Sequence, residues 1–119
     1  MPNSTAAYTV AQHFEGRDPA VKQAYAALVK AAKTLGPVKQ DPKKTSIHLV
    51  RKTAFAGVMT RKTALILTLK SGSALRGARI VKSERVSANR WHVDVRLEGP
   101  DDVDREVAGW LGRAYDLSG

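Results

Sequence analysis

One change of hydrophobic period, at about Thr45, limits the fold of this chain more than any other feature. Before it, Val21, Tyr25, Leu28, Ala32 and Leu35 recur at helical spacing, which predicts one apolar stripe on an amphipathic helix. After it, Ile47 and Leu49 alternate with His48, the period of a strand with one buried face. The alternation continues through Phe55 and Val58, with Gly57 relaxing it. A chain that turns from period 3.6 to period 2 and back builds helices and a sheet in separate blocks. That is the pattern of an α+β domain with an antiparallel sheet.

The punctuation supports this division. Asp18 suits the N-cap of the helix and Pro19 its first position, where a missing N–H costs nothing. Gly36 and Pro37 stop it. Residues 9–15 read as a short helical turn that ends at Gly16. "TALILTL" (63–69) is almost continuously apolar and reads as a central strand, reached by a turn at Arg61-Lys62. "SGS" (71–73) is a break. Residues 79–87 and 90–98 read as two strands joined around Ala88-Asn89. In the second, Trp91, Val93, Val95 and Leu97 face the core, while His92, Asp94 and Arg96 face water. The final stretch, 101–117, reads as a helix with Val103, Val107, Trp110, Leu111 and Ala114 buried. Asp101, Asp102 and Asp104 crowd its first turn, where carboxylates complement the dipole. The expected architecture is a flexible segment at 1–8, then a single domain over 9–117. It has about five strands packed against an N-terminal and a C-terminal helix.

With 119 residues, one domain can bury a core without staples. There is no cysteine, so disulfides, thiolate metal sites and thiol catalysis are excluded, and a cytoplasmic setting is expected. The N-terminus lacks the pattern of a signal peptide. The longest mostly apolar run, Ala64 to Leu69, is far too short to cross a bilayer. Net charge is +9 and is unevenly placed: residues 39–96 are strongly basic and 97–119 are acidic.

Two stretches, "KKTSIHLVRKTAFAGV" (43–58) and "RWHVDVRLEGPDDVDREVAGWLGRAYDL" (90–117), carry a resemblance. The chain resembles the uncharacterised bacterial domain-of-unknown-function family numbered 5655, over about residues 10–117. The closing strand, acidic cap, amphipathic helix and "AYDL" are also similar to the ending of MmcQ/YjbR-like proteins. That resemblance implies a small α/β "double wing" fold and carries a suggestion of DNA binding. A more distant similarity is to YdhG-like proteins, some described as iron chaperones. None of these families supplies a catalytic motif that transfers to residues of this chain.

The basic middle is the candidate site. Lys43, Lys44, Arg51, Lys52, Arg61 and Lys62, together with Arg90, His92 and Arg96, are expected to meet an anionic partner. Nucleic acid or another polyanion would reward them by counterion release, with arginine forks on phosphates. The competing reading is a solvated basic surface on a small-ligand, metal or protein-interaction domain. Aromatics are scarce, at 6%, and Phe55, Trp91 and Trp110 fall on core positions, so base stacking is disfavoured.

Other constellations are weaker. His13, His48 and His92 lie in three elements, and His48 and His92 are candidates for neighbours on the polar sheet face near Asp94. Asp102 and Glu106 are four apart, yet dipole capping already accounts for most of that acidic cluster. Asp41-Pro42-Lys43 matches the short acidic-x-Lys piece of many metal-dependent nucleases, without a strand carboxylate upstream. There is no phosphate-binding loop, nucleophile elbow or dinucleotide fingerprint. A non-enzymatic binding module without cofactor or metal is the expectation.

Overall fold

Asp18 begins the first helix as its sequence predicts. In a computed structural model describing residues 8–119, its carboxylate accepts the Ala20 N–H at 2.9 Å. Helix α1 then runs Pro19–Lys33 and buries Val21, Ala24, Tyr25, Leu28, Val29 and Ala32. Leu35 departs from expectation. The helix ends at Lys33, and the Thr34 N–H and hydroxyl turn back to the Ala31 carbonyl. Leu35 is therefore no longer carried round to the core and stays 38% exposed. Gly36 follows with φ of 146°, a conformation that favours glycine. Of the predicted flexible segment 1–8, all but Tyr8 lies outside the described residues.

The sheet has six strands rather than about five: β1 (Lys39–Pro42), β2 (Ile47–Val50), β3 (Ala54–Thr60), β4 (Leu65–Ser71), β5 (Ile80–Ser87) and β6 (Arg90–Leu97). All pairings are antiparallel, in the order β1-β2-β3-β4-β6-β5. The added strand is β1. "KQDP" has no apolar alternation because it sits at an edge and is held by backbone pairing to β2. Its Gln40 side chain also accepts the Tyr25 hydroxyl at 2.6 Å. Its short length and Pro42 protect that edge from further pairing. At the opposite edge, β5 is interrupted at Val81 and Val86, where its register against β6 shifts. Bulges protect an edge in the same way.

The alternation read from the sequence sets the layers. Ile47, Leu49, Val58, Leu65, Leu67, Leu69, Val93, Val95 and Leu97 are fully buried. They are in register across β2, β3, β4 and β6. Phe55 and Ala56 are both buried, which a regular strand would not allow. The register shift against Leu49 and Val50 leaves Phe55 as the extra residue of a bulge. Its ring meets Tyr115 edge-on, 5.2 Å between centroids.

The C-terminal helix is shorter than expected. Pro100–Asp102 form a 3-10 turn, and helix α2 runs Arg105–Asp116. Of the three crowded aspartates, only Asp104 is the N-cap, accepting the Val107 N–H at 2.9 Å. Asp102 instead accepts the Glu98 N–H at 2.8 Å. Val103 lies before the helix and is half-buried. Helix α2 packs on β3 and β4 beside α1, burying Val107, Trp110, Leu111, Ala114 and Tyr115. Among the described residues, no helix is long and apolar enough to cross a membrane.

Candidate anion-binding end and open face of the sheet

Because the helices lie on one face, the alternate residues of each strand form a second, uncovered face. Ile66, Thr68 and Lys70 of β4 are half-buried where Leu65, Leu67 and Leu69 are fully buried. Across this open face His48 stands opposite Gly57, Gly57 opposite Thr68, and Thr68 opposite Asp94. The next row pairs Lys70 with His92 and His92 with Glu84. Gly57 has no side chain to fill its place, and a groove of about 400 Å³ runs over it, lined by His48, Met59, Thr68, Lys70 and His92.

The two histidines share this groove without touching. Three strand spacings separate β2 from β6, roughly 15 Å of backbone, so they form no hydrogen-bonded acid–base pair. The Asp94 carboxylate accepts the Thr68 hydroxyl at 2.7 Å. Lys70 donates to Thr53 and Ser118, each at 3.1 Å, tying the chain after α2 to the sheet. Among the described residues, no group of three His, Asp or Glu side chains is placed to hold a metal ion.

The basic residues fall at two ends of the sheet. Consecutive hairpins place their turns alternately at opposite ends, so Lys43 and Lys44 (between β1 and β2) share an end with Arg61 and Lys62 (between β3 and β4). The two turns are about two strand spacings, or ~10 Å, apart. Arg17 joins them: its Nε donates to Thr60 Oγ1 at 3.1 Å, while the Asp18 N–H donates to the Lys62 carbonyl at 2.8 Å. His13 completes this end, its Nε2 2.8 Å from the Lys43 carbonyl oxygen. All four turn cations are exposed. Lys43 pairs with Asp41 at 2.9 Å. That hydrogen bond is the main cause holding the Asp41 carboxyl below its usual range, with Lys39 and His48 adding weaker attraction.

Arg51, Lys52 and Arg90 lie at the other end. Arg51 is engaged in holding the fold, since its guanidinium donates to the Tyr115 carbonyl at 3.1 Å and covers the Tyr115 ring at 4.3 Å from the centroid. Arg90 turns back to the Asn89 carbonyl. On the open face, Arg96 pairs with Glu98 at 2.9 Å, and His92 is exposed beside the groove. The sheet thus brings Lys43, Lys44, Arg61 and Lys62 together and separates them from Arg51, Lys52 and Arg90. Counting hairpins gives this grouping only once β1 is known to be a strand, since turns one and three then fall together.

The acidic stretch also holds the fold together in a way that local sequence pattern does not reveal. Arg79 lies between Asp102, at 3.4 Å, and Asp104, at 2.7 Å, joining the approach to β5 to the start of α2. The Asp104 hydrogen bond is the main cause that raises the Arg79 pKa.

The family described as Domain of unknown function (DUF5655) is matched over residues 10–118, and the chain belongs to that family. No curated protein and no solved structure matches the chain.

Proposed function

We propose that this member of the DUF5655 family is a non-enzymatic binding module for a polyanion, with nucleic acid the class best suited to its charge. One observation carries the reading: two basic hairpin turns converge on one end of the sheet, gathering Lys43, Lys44, Arg61 and Lys62 beside Arg17. A spacing of about 10 Å between the turns lets long lysine and arginine side chains reach phosphates along one strand. The groove over Gly57 crosses the open face, where His48 and His92 offer further donors. We read the closing stretch as resembling MmcQ/YjbR-like proteins, suggested to bind DNA, which fits the same class. The reading suits a bacterial, cytoplasmic protein.

The test is fluorescence anisotropy with mixed-sequence single-stranded and duplex oligonucleotides at about 50 mM and about 200 mM salt. The wild type is expected to bind at low salt and weaken steeply as salt rises. A variant with Lys43→Gln, Lys44→Gln, Arg61→Gln and Lys62→Gln should keep its circular dichroism spectrum, because those side chains lie at exposed turns. It should bind more weakly, with a salt slope shallower by up to about 0.9 for each phosphate no longer neutralised. Absence of binding by the wild type at low salt, or equal binding by the variant, defeats the proposal.

A further inference from the structure

One hollow among the described residues lies away from the open sheet face, along a flank of α1. It measures about 690 Å³ and runs between α1, the 3-10 turn at Ala11–Phe14 and Gln40 of β1. Phe14 and Tyr25 form one wall, their rings 5.1 Å apart between centroids. The Tyr25 hydroxyl is already used by Gln40, and burial pushes its pKa up, so this wall stays neutral and apolar.

The other wall has a pattern of its own. Lys22, Ala26, Val29 and Lys33 all line the groove, at successive spacings of four, three and four residues along the helix. That spacing is the helix-to-helix seam of a coiled coil. Its centre is apolar and small, and a cation stands at each end. Lys30 adds a third cation beside the same groove, and no acidic side chain among the described residues lines it. From Lys22 to Lys33 the helix rises about 16 Å, the length of about three turns of a second helix.

We propose that this groove docks an acidic amphipathic helix of a partner protein, with apolar residues seated over Ala26 and Val29 and carboxylates facing Lys22 and Lys33. Ala26 permits close approach of the partner backbone, and Val29 with Phe14 supplies the apolar contact. The lysines fix register and select against basic or neutral helices. The groove is open along its length, which suits a helix laid into it better than a single alkyl chain, whose surface a binding site mostly encloses.

The probe is a synthetic helix of about fifteen residues with leucines at the two central seam positions and glutamates at the two outer ones, titrated into the full chain. Binding is read by fluorescence anisotropy and by amide chemical-shift changes. The expected changes cluster on α1 and residues 10–14. Ala26→Glu puts a carboxylate in an exposed helical position that tolerates it, so folding should hold while affinity falls at least about tenfold. Lys22→Glu with Lys33→Glu should lose the glutamate-ended peptide to a similar extent and gain a lysine-ended one. Failure of the full chain to bind the peptide, or unchanged binding by Ala26→Glu, overturns the proposal. So does dodecanoate shifting these amides while the peptide leaves them still, because the groove would then belong to an alkyl carboxylate.

Discussion

Leu67 and Thr68 are neighbours in β4 with opposite fates. Leu67 is fully buried under the helices, and Thr68 points to the uncovered face, where its hydroxyl meets Asp94. The same contrast repeats along every central strand. The covered face is uniform in chemistry, an aliphatic layer whose members substitute for one another. The open face is varied: a groove over a glycine, two histidines, a tethered lysine and several carboxylates. Burial selects for volume and apolarity, and any strand that supplies them at period two is acceptable. Exposure leaves each position free to carry a specific group. Stability therefore resides mainly on one side of the sheet, and binding specificity has room on the other.

The contrast predicts its own largest effect. Leu67→Ala removes a fully buried side chain between two layers and should lower unfolding free energy by about 2–5 kcal/mol. Thr68→Ala, one residue on, removes one half-exposed hydrogen bond and should cost about 1 kcal/mol. Urea titration of both variants measures the gap. Equal losses would show that the open face is as tightly committed to folding as the covered one.

What the sequence revealed follows the same division. The helix start at Asp18, the need for a glycine at Gly36 just past the end of α1 and the buried side of β2, β4 and β6 were legible because each is fixed by local stereochemistry or by period. β1 was not legible, since Lys39–Pro42 is a strand only through backbone bonds to β2. Phe55 was rightly assigned to the core, but the bulge that takes it there depends on the partner strand. Three aspartates competed for one helix cap, and the backbone path decides: Asp104 meets the Val107 N–H and Asp102 the Glu98 N–H. Arg51 reads as one more surface cation, yet it is bound to Tyr115, 64 residues away. Long-range contacts of this kind leave no mark on local periodicity. At the candidate site, residue types were legible, but their separation into two ends required the topology.

A second measurement sharpens the comparison at the seam between α1 and α2. Gly36 has positive φ, and an added Cβ would lie 2.5 Å from the Tyr115 hydroxyl oxygen. That hydroxyl donates to the Pro37 carbonyl at 3.0 Å, so it is not free to move aside. Gly36→Ala combines backbone strain with a collision and should cost about 1–3 kcal/mol. Adding Tyr115→Phe removes the colliding oxygen and should restore part of the loss, leaving the backbone strain. If Tyr115→Phe gives no relief, the cost lies in φ alone.

The smallest expected effect concerns acid stability at the start of α2. The Asp104 carboxyl is held below its ordinary value chiefly by the Val107 N–H, with Arg79 reinforcing it by hydrogen bond and charge. A carboxyl with a lower pKa folded than unfolded binds fewer protons in the native state. Its stabilisation is therefore complete above the unfolded value and is lost as pH falls through the folded one. Thermal unfolding followed from about pH 6 to about pH 2 should show a decline to which Asp104 contributes at the acid end. Asp104→Asn keeps a capping oxygen for Val107 but cannot titrate, so its curve should be flatter there and lower at neutral pH. Arg79→Ala leaves the cap and removes the cation, and should give a decline intermediate between the two. If Asp104→Asn loses stability in parallel with the wild type across the whole range, the acid sensitivity belongs to other carboxyls, with Asp41 beside Lys43 the next to replace, because its pKa is also lowered in the folded chain.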